Sequence, residues 1–239
     1  MSKKSEGWLW TLLFNVAFAQ ASIYVMRPMI TYHALENGAS SYQIGLIAAL
    51  YALVPLLIAV PMGRWVGRFG EVPLLVLGCF SFIALSLSFT RINNIAGIAA
   101  ITSLAGIAHL SNVAASQSMV ANRSSNERQD HNFGYFSFAT SSGHTFGPIL
   151  GGIIAGSTGA LPRSSSSAFI FAAFLALIAS LFLFTYQIEP LPTPKSRANF
   201  FIFGRFGDAS ISVIFILSAS DNLFPDLFVI LNTHVLLYT

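Results

Sequence analysis

His109, Asn112 and Ser116 lie in the stretch AGIAHLSNVAASQ (residues 105–117), and with Thr102 they recur at spacings of seven, three and four residues. Such spacing places all four on one face of a helix. The chain around them is strongly apolar. Polar side chains at bilayer depth are costly, and they face a cavity or a neighbouring helix. This stripe is therefore a candidate either for lining a cavity or for bonding to a neighbouring helix. An imidazole is the side chain whose ordinary charge change falls near neutrality. His109 can thus exchange a proton, or stay neutral and bond to an adjacent helix. Asn15, Gln20 and Ser22 form a second set near the start of the chain. Asn15 and Ser22 share a face and Gln20 is turned away from it; these groups either line a cavity or bridge helices. Arg27 precedes Pro28. Counted from Trp8 at about 1.5 Å per residue, it comes roughly 28 Å across the membrane. Near the far surface, Arg27 would snorkel to water or meet an anion in an outer vestibule. Ser137, Ser141 and His144 make one more polar stripe.

Other chemistries find no residues to carry them. The sequence has no nucleophile elbow with a following acid and histidine, no phosphate-cradling glycine loop and no HExxH pair. Cys79 is the single cysteine, which excludes a disulfide framework and a multi-cysteine metal site. The net charge is +3 with no basic run, so nothing points to nucleic acid. The expected reading is a protein that is not an enzyme and uses no cofactor.

The elements that must hold these residues are membrane helices. Hydrophobic residues make up 54% of the chain and charged residues only 9%, against about 25% charged in a soluble domain. Lipid must take up the excess apolar surface. Since a span needs about 20 apolar residues, six are expected, at about 8–31, 42–66, 72–90, 94–118, 133–157 and 167–188. A seventh apolar stretch, at about 208–231, is interrupted by Asp221, Pro225 and Asp226. Basic residues favour the cytoplasmic side. With the N-terminus inside, Lys3, Lys4, Arg64, Arg68, Arg123, Arg128, Lys195, Arg197 and Arg205 are also inside, and only Arg91 and Arg163 fall in outside loops. The segment EPLPTPKSRANF (189–200) has three prolines and no apolar period, so it reads as an exposed linker. The expected domains are a six-helix bundle over 1–188, a cytoplasmic linker over 189–206, and an incomplete second half over 207–239.

The stretch GYFSFATSSGHTFGPILGGIIAG (134–156) carries the most specific spacing. Gly143, Gly147 and Gly151 recur every four residues and form one bare face, with Gly152 and Gly156 on the neighbouring row. Small-residue faces let membrane helices approach closely. Pro148 removes one backbone hydrogen bond and bends the helix. The full pattern runs Gly134, eight residues, Gly143, three residues, Gly147–Pro148, two residues, Gly151–Gly152. It resembles the fifth-helix antiporter motif of the major facilitator superfamily. A second stretch, GRWVGRFGEV (63–72), partly resembles the family's loop between helices two and three. Gly63, Arg68 and Gly70 fit, Arg64 lies one turn before Arg68, Gly67 stands where the family has Asp, and Glu71 stands where it has a basic residue. In helix four the basic pattern of proton-coupled members is missing.

The resemblance implies an all-α, polytopic membrane protein, the N-terminal six-helix half of that fold plus a partial seventh helix. It implies secondary active transport, with export of a small molecule in exchange for protons, in a bacterial inner or plasma membrane. Asn15, Gln20, Arg27, His109, Asn112 and Ser116 are the expected substrate contacts. Gly63, Arg64, Arg68 and Gly70 are the expected gating residues. Family members have about twelve helices, so the expected account is a truncated product whose partner is a missing C-terminal half or a second copy. On that account the Gly143–Gly147–Gly151 face is left open to lipid or to another chain. The rival expectation is a non-transporting membrane protein that only assembles with other helices.

Overall fold

The computed structural model describes residues 7–156 and 165–185. Among them it contains six α-helices and no strand: α1 (Gly7–Glu36), α2 (Ser41–Phe69), α3 (Glu71–Phe89), α4 (Ile95–Arg123), α5 (Gln129–Ile154) and α6 (Ser165–Thr185). The expected linker and partial seventh helix lie outside the described residues. Five helices, all but α5, are long and apolar enough to cross a membrane. The 26-residue α5 has the length, but its glycines, serines and histidines dilute the apolar composition.

The connections follow from local chemistry. Gly38, at φ +79°, turns the chain after α1. Ser40 then caps α2: its hydroxyl accepts from Gln43 N at 3.4 Å while Gln43 Oε1 accepts from Ser40 N at 2.9 Å. This reciprocal pair satisfies two of the backbone donors that a helix start leaves open. Gly70, at φ +87°, is the whole connection between α2 and α3; a side chain there would be strained. Asn94 caps α4 by accepting from Gly97 N at 2.7 Å.

Helix α1 is the most enclosed and packs between α5 and α6; α4 packs between α2 and α3, and α3 closes onto α6. The neighbours therefore run α5, α1, α6, α3, α4, α2, and α1 also touches α4. Leu12, Ile23, Val25, Met26, Leu75, Phe89, Ile98 and Phe169 are fully buried where these helices meet. The two ends of the series, α2 and α5, flank a face on which α1 and α4 are also present. Residues that α1, α2, α4 and α5 turn toward that face can meet one another.

Candidate substrate site

Gln20, Tyr24 and Arg27 stand at positions i, i+4 and i+7 of α1, one above another. Two close helix approaches bring partners to them. On one flank, α5 lies against α1 through its glycines. A Cβ added at Gly143 would come 2.6 Å from Gln20 Cβ and 2.7 Å from the Ala17 carbonyl oxygen; one at Gly147 would come 2.8 Å from Tyr24 Cβ. A Cβ at Gly151 would come 3.3 Å from Val25 Cγ1, a tight but milder approach. The His144 ring then stacks on Tyr24, with centroids 3.9 Å apart. On the other flank, Gly106 of α4 lies so close to α2 that an added Cβ would collide with the Tyr51 carbonyl oxygen and come 2.8 Å from Pro55. That approach sets Tyr51 beside His109, three residues beyond Gly106.

The result is a polar chain across three helices, with His144 of α5 stacked beside it. The Tyr51 hydroxyl lies 2.7 Å from His109 Nδ1, and His109 Nε2 lies 3.1 Å from Gln20 Oε1. The amide oxygen only accepts, so Nε2 donates to it and Nδ1 accepts from the tyrosine. Both ring nitrogens are thereby used by a neutral imidazole. The Arg27 guanidinium carbon sits 5.2 Å from the Tyr24 ring centre and 5.1 Å from that of Tyr51. Cation–π contacts of this kind contribute about 0.5–2 kcal/mol, more where water is excluded. The site thus offers one fixed cation, two aromatic faces, an amide and a neutral imidazole. Glu36, Glu71, Glu127 and Asp130, the acidic residues among those described, stand at or beside helix ends.

The expected contacts divide. Gln20, Arg27 and His109 come together. Arg27 does not stand at the end of α1, which continues through Pro28 to Glu36; it lies roughly 13 Å short of that end along the axis. Asn15, Asn112 and Ser116 do not join them. Asn15 is fully buried and donates to the Ala179 carbonyl of α6 at 2.8 Å and to Cys79 Sγ of α3 at 3.3 Å. Asn112 approaches the same sulfur at 3.8 Å, and Ser116 donates to its own helix at Asn112 O, 2.7 Å away. Ser22 donates to Ala172 O of α6 at 2.7 Å. Asn15, Asn112 and Ser22 tie helices together behind the site. Sequence reasoning missed Tyr24, Tyr51 and Gly106. The usable signals were a hydroxyl-bearing ring in mid-helix and a glycine one turn from His109.

One further expectation is corrected. The Gly143–Gly147–Gly151 face is not open: all three glycines are buried, and α1 of the same bundle fills the face. Gly134, by contrast, is exposed with nothing near a would-be Cβ, and Gly152 is half-buried beside Pro148, which is exposed inside the helix. At the α2–α3 turn, Gly63 is buried while Arg64 and Arg68 are exposed; the Arg68 guanidinium lies 5.5 Å from the Phe69 ring. Buried Glu71 accepts from Asn122 Nδ2 of α4 at 2.7 Å, so the acid that replaces a basic residue there makes a contact of its own. A cleft of about 740 Å³ opens between α1 and α5, lined by Trp10, Phe14, Tyr135 and Phe138 with Asp130 and His131 at one end. It does not reach Gln20, Arg27 or His109. Convergent polar groups mark the better candidate, and here they stand on the α1–α2–α4–α5 face.

The sequence profile of the Major Facilitator Superfamily matches residues 12–235. Multidrug resistance protein 1 of Bacillus subtilis is 28% identical over 204 residues, covering 82% of this chain and 49% of that protein. Quinolone resistance protein NorA of Staphylococcus aureus is 23% identical over 191 residues, 80% of this chain and 47% of the relative. The chain spans about half the length of the relatives it matches. The crystal structure of the human organic anion transporter MFSD10 superposes with a TM-score of 0.58 at 18% identity, over 76% of this chain and 48% of that one. The fold, the fifth-helix glycines and the profile match agree: the chain belongs to the Major Facilitator Superfamily.

Proposed function

We propose that this chain is the substrate-holding six-helix half of a secondary transporter that exports small amphipathic molecules in exchange for protons. The observation that carries the reading is the Gln20–His109–Tyr51–Arg27 cluster, assembled from three helices in an otherwise apolar bundle. The Asn15–Cys79–Asn112 contacts also join several helices, but on the α3 and α6 side of α1 and α4; the Gln20 cluster is built across the face flanked by α2 and α5. Substrate would stack on Tyr24 or Tyr51, and an anionic group would meet Arg27. A proton on His109 Nδ1 would displace the Tyr51 bond and change the charge beside the substrate. Alternating access would come from rocking against a second six-helix bundle, supplied by a longer chain or a second copy.

A quinolone is a suitable probe, because it joins a flat aromatic system to a carboxylate. Its own fluorescence reports binding to the chain in lipid nanodiscs. The expected result is saturable binding that weakens about tenfold in His109→Ala, equivalent to about 1.4 kcal/mol. A completed two-half carrier should expel the same probe only with a proton gradient. Unchanged binding in His109→Ala, Gln20→Ala and Arg27→Gln alike overturns the site.

A further inference from the structure

A second polar cluster lies at the end of the bundle where α1 stops and α6 starts. His33 is buried there. Its Nε2 lies 2.8 Å from the Ile92 carbonyl oxygen in the α3–α4 connection, and its Nδ1 lies 3.0 Å from Ser165 Oγ at the start of α6. The same hydroxyl lies 2.7 Å from Glu36 Oε2, and that carboxylate oxygen is 3.5 Å from His33 Nδ1. Phe169 of α6 presents itself edge-to-face to the imidazole at 5.6 Å.

Counting hydrogens gives the state of this cluster. A carbonyl oxygen only accepts, so Nε2 carries a hydrogen. The two contacts from Ser165 Oγ, one to Nδ1 and one to Glu36, require two hydrogens. A serine hydroxyl has one. A neutral ring with its hydrogen on Nε2, together with a carboxylate, therefore leaves one contact without a hydrogen. The network closes when Nδ1 is protonated as well: Nδ1 donates to Ser165, and Ser165 donates to Glu36. The Glu36 side chain is 41% exposed and keeps water around its charge, so the added proton belongs on the ring. We propose that His33, Ser165 and Glu36 form a proton-binding site that clasps α1 to α6 when occupied.

The clasp responds to acidity in one direction. With the proton bound, His33 ties α1 to α6 and to the α3–α4 connection at once. When the proton leaves, the single serine hydrogen serves either His33 or Glu36, and one tie is lost. The junction loosens as pH rises. Among the described residues the charged and titratable groups here are few. Glu36 faces the ring from α1, the Ile92 carbonyl faces it from the α3–α4 connection, where the preceding Arg91 is exposed, and α6 contributes uncharged Ser165 and Phe169. This site is separate from the Gln20–His109–Tyr51 cluster and does not depend on the substrate reading.

The test is nitrogen NMR of the full chain in lipid bilayers, with label in the histidine rings, because shifts of the two ring nitrogens distinguish an imidazolium from a neutral ring. Over about pH 5 to 8, one imidazolium signal should be present that His33→Gln removes. Glu36→Gln, at an exposed position, leaves the bundle intact and removes the compensating charge. At a fixed pH where the parent ring is mostly protonated, its imidazolium signal should fall at least about threefold. Ser165→Ala should give the same loss. A His33 ring that is neutral across the whole range overturns the proposal, as does an imidazolium signal that both variants leave unchanged.

Discussion

At the scale of residues, polarity was legible in the sequence and direction was not. Helical spacing grouped Thr102, His109, Asn112 and Ser116, and they do share one side of α4. Yet His109 reaches toward α1 and α2 while Asn112 reaches toward α3. A stripe seen on a helical wheel is wide enough to serve two neighbours, and only the packing decides which. Arg27 was expected near the end of a span over about 8–31, and α1 runs on through Pro28 to Glu36, as membrane helices allow when neighbours satisfy the freed carbonyl. Placed between Tyr24 and Tyr51, Arg27 becomes the charge of the candidate site. Arg27→Gln should weaken quinolone binding about tenfold, and Arg27→Lys should restore part of it, because a point charge keeps attraction but loses the planar fork. Asn15→Ala should behave oppositely. It should leave binding unchanged and destabilise the bundle by about 0.6–2 kcal/mol, the range for an interhelical hydrogen bond in lipid. Binding by fluorescence and unfolding in detergent separate the two effects.

At the scale of helices, the glycine spacing correctly announced a close approach but did not name the neighbour. Every fourth residue bare is a statement about one surface. The partner is fixed by the order of helices, and here it is α1. This reverses the expected consequence of filling the face. A leucine at Gly147 must push Tyr24 and the α1 backbone aside, so Gly147→Leu should damage the six-helix bundle itself. Overpacking costs about 1–3 kcal/mol where a core can adjust, and more is expected against backbone atoms. Gly106→Leu should do the same between α2 and α4. Gly134→Ala is the control within the same motif, since it meets nothing. Thermal unfolding should show Gly147→Leu and Gly106→Leu far below the parent and Gly134→Ala close to it. Equal behaviour of Gly147→Leu and Gly134→Ala would mean that α1 and α5 are not in close contact in the membrane. The two glycine approaches also explain why the site was only half visible. His109 and Gln20 lie 89 positions apart, and no local pattern connects them until α5 and α2 are pressed toward α1 and α4.

At the scale of the whole molecule, alternation of helix ends and the distribution of basic residues together predict an orientation. Among the described residues, the α2–α3 and α4–α5 connections share one end, with Arg64, Arg68, Arg123 and Arg128 near them. The α1–α2 and α3–α4 connections share the other end, where Arg91 is the one arginine among the described residues. Lysine and arginine are retained on the cytoplasmic side during insertion, so the end bearing four arginines should be inside. Arg27 does not alter this count, because it lies within α1 and away from both ends. The orientation has consequences for both polar clusters. It would turn His33, Ser165 and Glu36 toward the external medium, where their proton would equilibrate with the outside, and it leaves His109 between the two ends. Cysteine labelling in a Cys79→Ser background tests the orientation directly. Asn37→Cys, in the α1–α2 turn, should react with a membrane-impermeant maleimide added to intact cells. Ser125→Cys, exposed between α4 and α5, should react only after the membrane is opened. If Ser125→Cys is labelled from outside and Asn37→Cys is not, the basic residues have not set the topology. The external assignment of the His33 clasp then falls with it, while the proton count within that cluster stands unchanged.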